Sequence, residues 1–229
     1  MKHIVVFTGA GMSAESGIKT FRDSDGLWEN YRIEDVATPQ AWQKDRALVL
    51  DFYNQRRAQC LQAKPNAAHL ALAALEQQFK VSIITQNIDN LHERAGSKNV
   101  MHLHGELMKS RSTIDESLVY DIDGADLKLN DQCEKGSQLR PHIVWFGEAV
   151  PMMDVACRIA SKADIFVVIG SSLVVYPAAS LLEYAPIAIP KFIIDPVVPN
   201  VSYVENMTSI QATAVKGVKV LLKHLEQFD

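Results

Sequence analysis

The stretch "DFYNQRR", residues 51–57, sets Tyr53 and Arg56 three positions apart. On a helix they share a face. A planar, always-charged guanidinium beside a phenol hydroxyl can hold a carboxylate. An ordinary solvated helix face would look the same, so the pair needs support from the rest of the chain. Two other stretches concentrate polar groups. "QNID" (86–89) carries the amides of Gln86 and Asn87 and the carboxylate of Asp89, and "HLHG" (102–105) carries His102 and His104. Histidine is the side chain that titrates near neutral pH. The plain structural alternative is an Asx turn at Asn87 and Asp89, with structural roles for the histidines.

These groups need a scaffold. Short β-branched runs recur at "HIVVF" (3–7), "VSIIT" (81–85), "HIVWF" (142–146), "DIFVVIG" (164–170) and "KFIID" (191–195). Several are apolar at successive positions, as expected of strands buried on both faces. Helical spacing fills 65–79 and 214–228. Alternating strands and helices imply an α/β fold with a parallel sheet covered by helices. Residues 35–63 read as all-helical and 107–140 as polar and irregular, so both read as insertions forming a smaller lobe. The first strand runs into "TGAGMSAESGI", where Gly9 and Gly11 allow a tight turn. A helix opening around Ser13 would aim free N–H groups at a phosphate. Ala14 stands where the third glycine of a dinucleotide fingerprint would be.

Composition bounds the answer. The chain has 229 residues, 48% of them hydrophobic, and a net charge of −4. That is enough for one large domain or a large and a small one. No basic block suggests a nucleic-acid face. Cys60, Cys133 and Cys157 form no CxxC pair, which fits a reducing compartment. The uncharged run at 165–182 approaches the length of a membrane span. Gly170, Ser171, Ser172 and Pro177 interrupt it, so a buried strand, a turn and a helix start are expected instead. A cytoplasmic protein with neither membrane nor nucleic-acid partners is expected.

In order along the chain, "SGIKTFRDSDGLW" (16–28), "TQNIDNLHERAG" (85–96), "HLHGEL" (102–107), "RPHIVWFGE" (140–148) and "GSSLVVYPAASL" (170–181) closely resemble the sirtuins. These are NAD-dependent protein-lysine deacylases. The resemblance implies a Rossmann-like NAD-binding domain over 1–34, 64–106 and 141–229, with 35–63 and 107–140 as the inserted lobe. It implies removal of acyl groups from lysine on proteins or peptides, giving nicotinamide and O-acyl-ADP-ribose. His104 matches the family's general base, with Asn87 beside it. The NAD-binding positions that match are Gly9, Ala10, Gly11, Ser13, Glu15, Phe21, Arg22, Trp28, Gln86, Asn87, Ile88, Asp89, Gly170, Ser171, Ser172, Asp195 and Ala214. Val144, Phe146, Gly147 and Glu148 match a segment that pairs with the acyl-lysine peptide by strand addition. One subclass carries a Tyr and an Arg three apart for acidic acyl groups such as succinyl and malonyl. Tyr53 and Arg56 match it, and Ala37 matches a small residue that leaves room for the longer chain. Arg57, four residues from Tyr53, is the competing candidate.

The chain departs from the family pattern at three places. Most sirtuins hold a structural zinc through two CxxC pairs, but the four positions here read Ser112, Asp115, Cys133 and Gly136. One thiolate cannot make a tetrahedral zinc site, so zinc is not expected. Lys19 stands where many relatives have Pro. Asp195 stands where an Asn is usual, though a carboxylate still accepts from ribose hydroxyls. Two other functions fit parts of the pattern. An ADP-ribosyltransferase would use the same NAD site and His104. A non-catalytic NAD sensor would need no base.

Overall fold

The structure is a computed structural model that describes residues 1–19, the backbone of 27 and 28, and residues 31–228. Phe21, Arg22 and the side chain of Trp28 lie outside the described residues. In chain order the first half holds β1 (His3–Thr8), α1 (Gly11–Ala14), β2 (Leu27–Trp28), β3 (Tyr31–Arg32), α2 (Ile33–Val36), α3 (Pro39–Lys44), α4 (Arg46–Gln62), α5 (Ala67–Ala74), β4 (Lys80–Thr85), α6 (Leu91–Arg94) and β5 (Val100–His102). The second half holds β6 (Gly105–Ser112), β7 (Val119–Asp121), β8 (Leu139–Ile143), α7 (Met153–Ala160), β9 (Ile165–Ile169), α8 (Leu181–Tyr184), β10 (Lys191–Ile194), β11 (Met207–Ile210) and α9 (Ala214–Leu225).

A six-stranded parallel sheet runs in the order β11-β10-β9-β1-β4-β5. Alternation along β1 divides the core. Ile4 and Val6 face a layer with Leu72 of α5 and Val218 and Leu221 of α9. Val5 and Phe7 face the other way, onto Ala156 of α7 and Leu181 of α8. Both layers are fully buried, which is why these strands read as continuous apolar runs. The chain adds β4 and β5 on one side of β1 and then β9, β10 and β11 on the other. The order therefore reverses between β1 and β9, and in such sheets ligands bind at the carboxyl ends of the strands flanking that reversal.

The second unit packs on this edge. α2, α3 and α4 share a core with the three-stranded antiparallel sheet β7-β6-β8, built on Val36, Trp42, Phe52, Tyr53, Leu107, Ile143 and Trp145. Local signals start the helices. Thr38 caps α3 ahead of Pro39, and the Asp45 carboxylate accepts from the Leu48 amide to cap α4. Two expectations change here. The run at 142–146 is not a strand of the parallel sheet, because β8 ends at Ile143 and pairs antiparallel with β6. Residues 107–140 are more regular than their polarity suggests, since they contribute to β6, β7 and β8.

Candidate active site

The carboxyl ends of the central strands open into a cavity of about 600 Å³ that continues between the sheet and the helical unit. Its walls gather the described residues matched to the catalytic, cofactor and acyl-lysine positions; His102 and Arg57 are not among them. Gly9, Ala10, Gly11, Ser13 and Glu15 come from the turn after β1. Gln86, Asn87, Ile88 and Asp89 follow β4, and Gly170, Ser171 and Ser172 follow β9. Asp195, Ala214, His104, Tyr53, Arg56, Ala37, Val144, Phe146, Gly147 and Glu148 complete the lining.

The glycines of the first turn serve the protein's own packing. A Cβ on Gly9 would lie 2.7 Å from the Gly170 carbonyl oxygen, and one on Gly11 would lie 2.7 Å from the Gly170 Cα. Gly170 itself sits at φ +63°. The β1 and β9 turns thus interlock, through a Gly11 amide donating to the Gly170 carbonyl at 2.9 Å. The helix opens at Gly11, and its amides are not free for a phosphate. Met12 donates to the Gly9 carbonyl and Ser13 to the Ala10 carbonyl.

Side chains knit the turns together. The Ser13 hydroxyl donates to Asp89 at 2.9 Å and accepts from the Asn87 amide at 3.1 Å. The Gln86 amide donates to the Ser171 hydroxyl at 2.9 Å. Asp89 also accepts from the Leu91 amide at 3.1 Å, so the Asx turn is present as well. Burial pushes the Asp89 carboxyl up from its ordinary value against these two donors. The Glu15 carboxylate accepts from the Val215 amide and fastens the start of α9. Asp195 is 1% exposed and accepts from the Val197 amide.

The two histidines differ in kind. His104 Nδ1 lies 3.1 Å from the Gln86 carbonyl oxygen. Donation there places the neutral ring's proton on Nδ1 and leaves Nε2 as an acceptor. Burial lowers the His104 pKa, against the Gln86 contact that raises it, so the ring is neutral at neutral pH. His102 instead meets an acceptor at each nitrogen, the Asn87 carbonyl and the Glu93 carboxylate, both at 2.8 Å.

The two adjacent arginines also part. Arg57 is fully buried and points away from the cavity. It donates from Nε to the Leu107 carbonyl at 2.8 Å, and from Nη1 to Asn54 and to the Ala125 carbonyl. It ties α4 to β6 and to the loop after β7, and burial lowers its pKa to about 10. Arg56 is 7% exposed and lines the cavity with Tyr53. The Tyr53 hydroxyl accepts from the Trp145 indole N–H at 3.0 Å.

Trp145 was not singled out in the sequence. The available signal was that a buried indole N–H needs an acceptor. The Arg140 guanidinium stacks 3.4 Å from the Trp145 ring centre and pairs with Glu148 at 2.7 Å. Glu148 also accepts from the Trp145 amide, so its carboxylate is committed inside the protein. The amides of Val144 and Phe146 donate to the carbonyls of His104 and Ala37. A peptide laid along 144–146 therefore has no main-chain donor left to it there.

The region where zinc would be expected does not fit the metal. Cys133 donates to the Ser112 hydroxyl at 3.3 Å, Lys135 pairs with Asp115 at 2.6 Å, and Gly136 offers only its amide, to the Cys133 carbonyl. Among the described residues no group of three or more His, Cys, Asp or Glu side chains could hold a metal ion. Among them, too, no helix is long and apolar enough to cross a membrane.

Comparison with known proteins bears on these contacts. The Sir2 family model matches residues 9–177. An NAD-dependent protein deacylase of Bacteroides thetaiotaomicron is 51% identical over 226 residues, covering 96% of this chain and 97% of that protein. One of Helicobacter pylori is 51% identical over 225 residues, covering 98% of each. A Sir2 homologue solved as an ADP-ribose complex superposes with a TM-score of 0.90 at 41% identity, covering 99% of this chain and 92% of that one. A Sir2 homologue–NAD complex gives 0.88, also at 41%, covering 99% and 90%.

Proposed function

The chain belongs to the Sir2 family, and on that premise we propose that it removes acyl groups from protein lysines at the expense of NAD, with a pocket suited to succinyl and malonyl as well as acetyl. The observation that carries this is that one cavity is lined both by a neutral His104 and by a buried Arg56.

The donor and acceptor set fits NAD. The Asp195 carboxylate and the residues at the start of α9 suit the adenosine end. Ser13, Gly170, Ser171 and Ser172 suit the centre, and Gln86, Asn87, Ile88 and Asp89 the nicotinamide ribose. Phe21, Arg22 and Trp28 are assigned to the same role by family pattern alone. When bound, NAD supplies a ribose carbon that takes the acyl oxygen, with nicotinamide leaving. His104 receives a proton at Nε2, while its Nδ1–H stays on the Gln86 carbonyl. Asn87 orients hydroxyls without competing as a base.

Arg56 and Tyr53 meet an acyl carboxylate where water is largely excluded, with Ala37 leaving space. Val144, Phe146 and Gly147 line the peptide approach, and Glu148 holds that segment in shape through Arg140. We assign the parallel sheet with 1–34, 64–106 and 141–229 to cofactor binding, and 35–63 with 107–140 to the acyl side. Three free cysteines and a net charge of −4 support a cytoplasmic enzyme acting on protein rather than on nucleic acid or membrane.

The test is to incubate the protein with acetyl-, malonyl- and succinyl-lysine peptides, with and without NAD, and read products by mass spectrometry. NAD-dependent loss of the acyl group with O-acyl-ADP-ribose supports the reading. ADP-ribose transferred to protein, with the acyl group retained, would replace it by a transferase.

A further inference from the structure

The two histidines of "HLHG" address consecutive carbonyls of the loop that carries the polar cluster. His104 Nδ1 takes the Gln86 carbonyl, and His102 Nδ1 takes the Asn87 carbonyl. The pair thus holds two adjacent peptide groups of that loop, one from the end of β5 and one from the bend that follows it. His102 has a second contact, from Nε2 to the Glu93 carboxylate on α6. Neither the carbonyl nor an ionised carboxylate carries a proton. Both contacts are hydrogen bonds only when both ring nitrogens carry one, which is the imidazolium.

We propose that His102 is a positioning residue, an imidazolium clamp that fixes the Asn87 carbonyl to α6 and so sets the Gln86–Asp89 loop for catalysis. Loss of its proton leaves one bare nitrogen. Retention of the charge-assisted bond to Glu93 would turn the Nδ1 lone pair against the Asn87 carbonyl oxygen and push the loop away. The charged and titratable groups facing the ring come from every side. Glu93 lies on α6, Glu106 on β6 and Asp89 in the loop, with His92 on α6 opposing. Lys109 pairs with Glu106 and is felt at Glu93. Burial alone would lower the His102 pKa, but Glu93, the Asn87 carbonyl and Glu106 outweigh it and raise it. His102 and His104 thus shift in opposite directions, and catalysis calls for one charged and one neutral.

Two variants test this in the full-length protein. In Glu93→Gln the side-chain amide can donate to Nε2 of a neutral ring whose Nδ1–H still serves Asn87. Wild-type kcat should fall as pH rises above His102's ordinary value of 6.5, since its pKa is raised; in Glu93→Gln the clamp no longer needs a charge, and that alkaline fall should disappear. His102→Gln should lower kcat by about 10- to 100-fold, because small misplacements of reacting groups have effects of that size. Its KM for acyl-lysine peptide should change by less than about threefold. A purely structural role would move the melting temperature of Glu93→Gln and leave its pH profile alone. Ring-nitrogen NMR of the histidine-labelled wild type decides the charge state without any turnover. It should show His102 protonated on both nitrogens at neutral pH and His104 on Nδ1 only. A neutral His102 there, or an unchanged alkaline limb in Glu93→Gln, would overturn the proposal. The kinetic arm rests on the deacylase reading; failure to turn over any acyl peptide would sink that reading and leave the NMR to judge the clamp.

Discussion

Replacing Arg56 with Met removes the guanidinium and keeps an unbranched stem that can still pack against the Phe52 ring, now 5.7 Å from the guanidinium carbon. Arg56 is 7% exposed, so an acyl carboxylate beside it is stripped of most of its water. Truncating one member of such a buried charge pair costs about 2–5 kcal/mol, and the lower end already corresponds to roughly 30-fold. We therefore expect kcat/KM for succinyl- and malonyl-lysine peptides to fall by about 30-fold or more. Deacetylation should change by less than about threefold, because acetyl carries no charge to strand. The assay follows both acyl peptides at saturating NAD, with the melting temperature measured alongside. Arg57→Met is the control. It breaks three internal hydrogen bonds and should lower stability and both activities together. Equal losses on the two substrates in Arg56→Met would mean that Arg56 supports the fold, and the acidic-pocket reasoning would fail.

Other outcomes follow from the same contacts. His104→Ala should lower deacylation by about 10²–10⁴-fold while NAD binding, followed by calorimetry, stays near wild type; a variant turning over normally would remove His104 from the mechanism. The neutral His104 places the acid limb of the kcat profile below its ordinary pKa of 6.5, since burial depresses it, and a limb above that value would contradict the assignment. His69 and His92 are buried and meet edge to face, with ring centres 4.8 Å apart. Burial lowers His69 to about 4 and His92 well below its ordinary value. Their unfolded forms bind protons first, so stability present above about pH 6.5 is lost as pH falls toward 4, His69 alone accounting for about 2 kcal/mol by pH 5. Urea midpoints at the two pH values check this, and His69→Gln should flatten the difference. Prolonged chelation should leave the melting temperature and activity unchanged, and stoichiometric zinc lost together with activity would refute the account of the Cys133 region.

The parallel sheet and its covering helices were legible in the sequence, and most of the described residues matched by family pattern fall on its loops. The site residues sit in loops at strand ends, where residue type follows chemistry, and the described ones share one cavity. The small antiparallel sheet was hidden because several of its buried positions are polar, despite Leu107 and Ile143. Ser110, Arg111 and Ser112 of β6 are buried, with Arg111 reaching Glu148 and Ser112 accepting from Cys133. No hydropathy alternation survives such pairing. The edge strands β5 and β11 are short and partly polar, so their runs carry little signal. The choice between Arg56 and Arg57 follows from how α4 is rotated against β6, which helical spacing alone does not set. Trp145 and His102 act through Tyr53 and Asn87, and contacts of that kind appear only once the chain is folded.

The account stands most directly on the stoichiometry of a single assay. Wild-type protein, NAD and a succinyl-lysine peptide are mixed, and nicotinamide release and loss of the succinyl group are followed together. The account predicts equal molar amounts of the two, with the succinyl group recovered on ADP-ribose and no peptide reaction when NAD is left out. Free succinate appearing without nicotinamide, or nicotinamide released while the peptide keeps its acyl group, would contradict it.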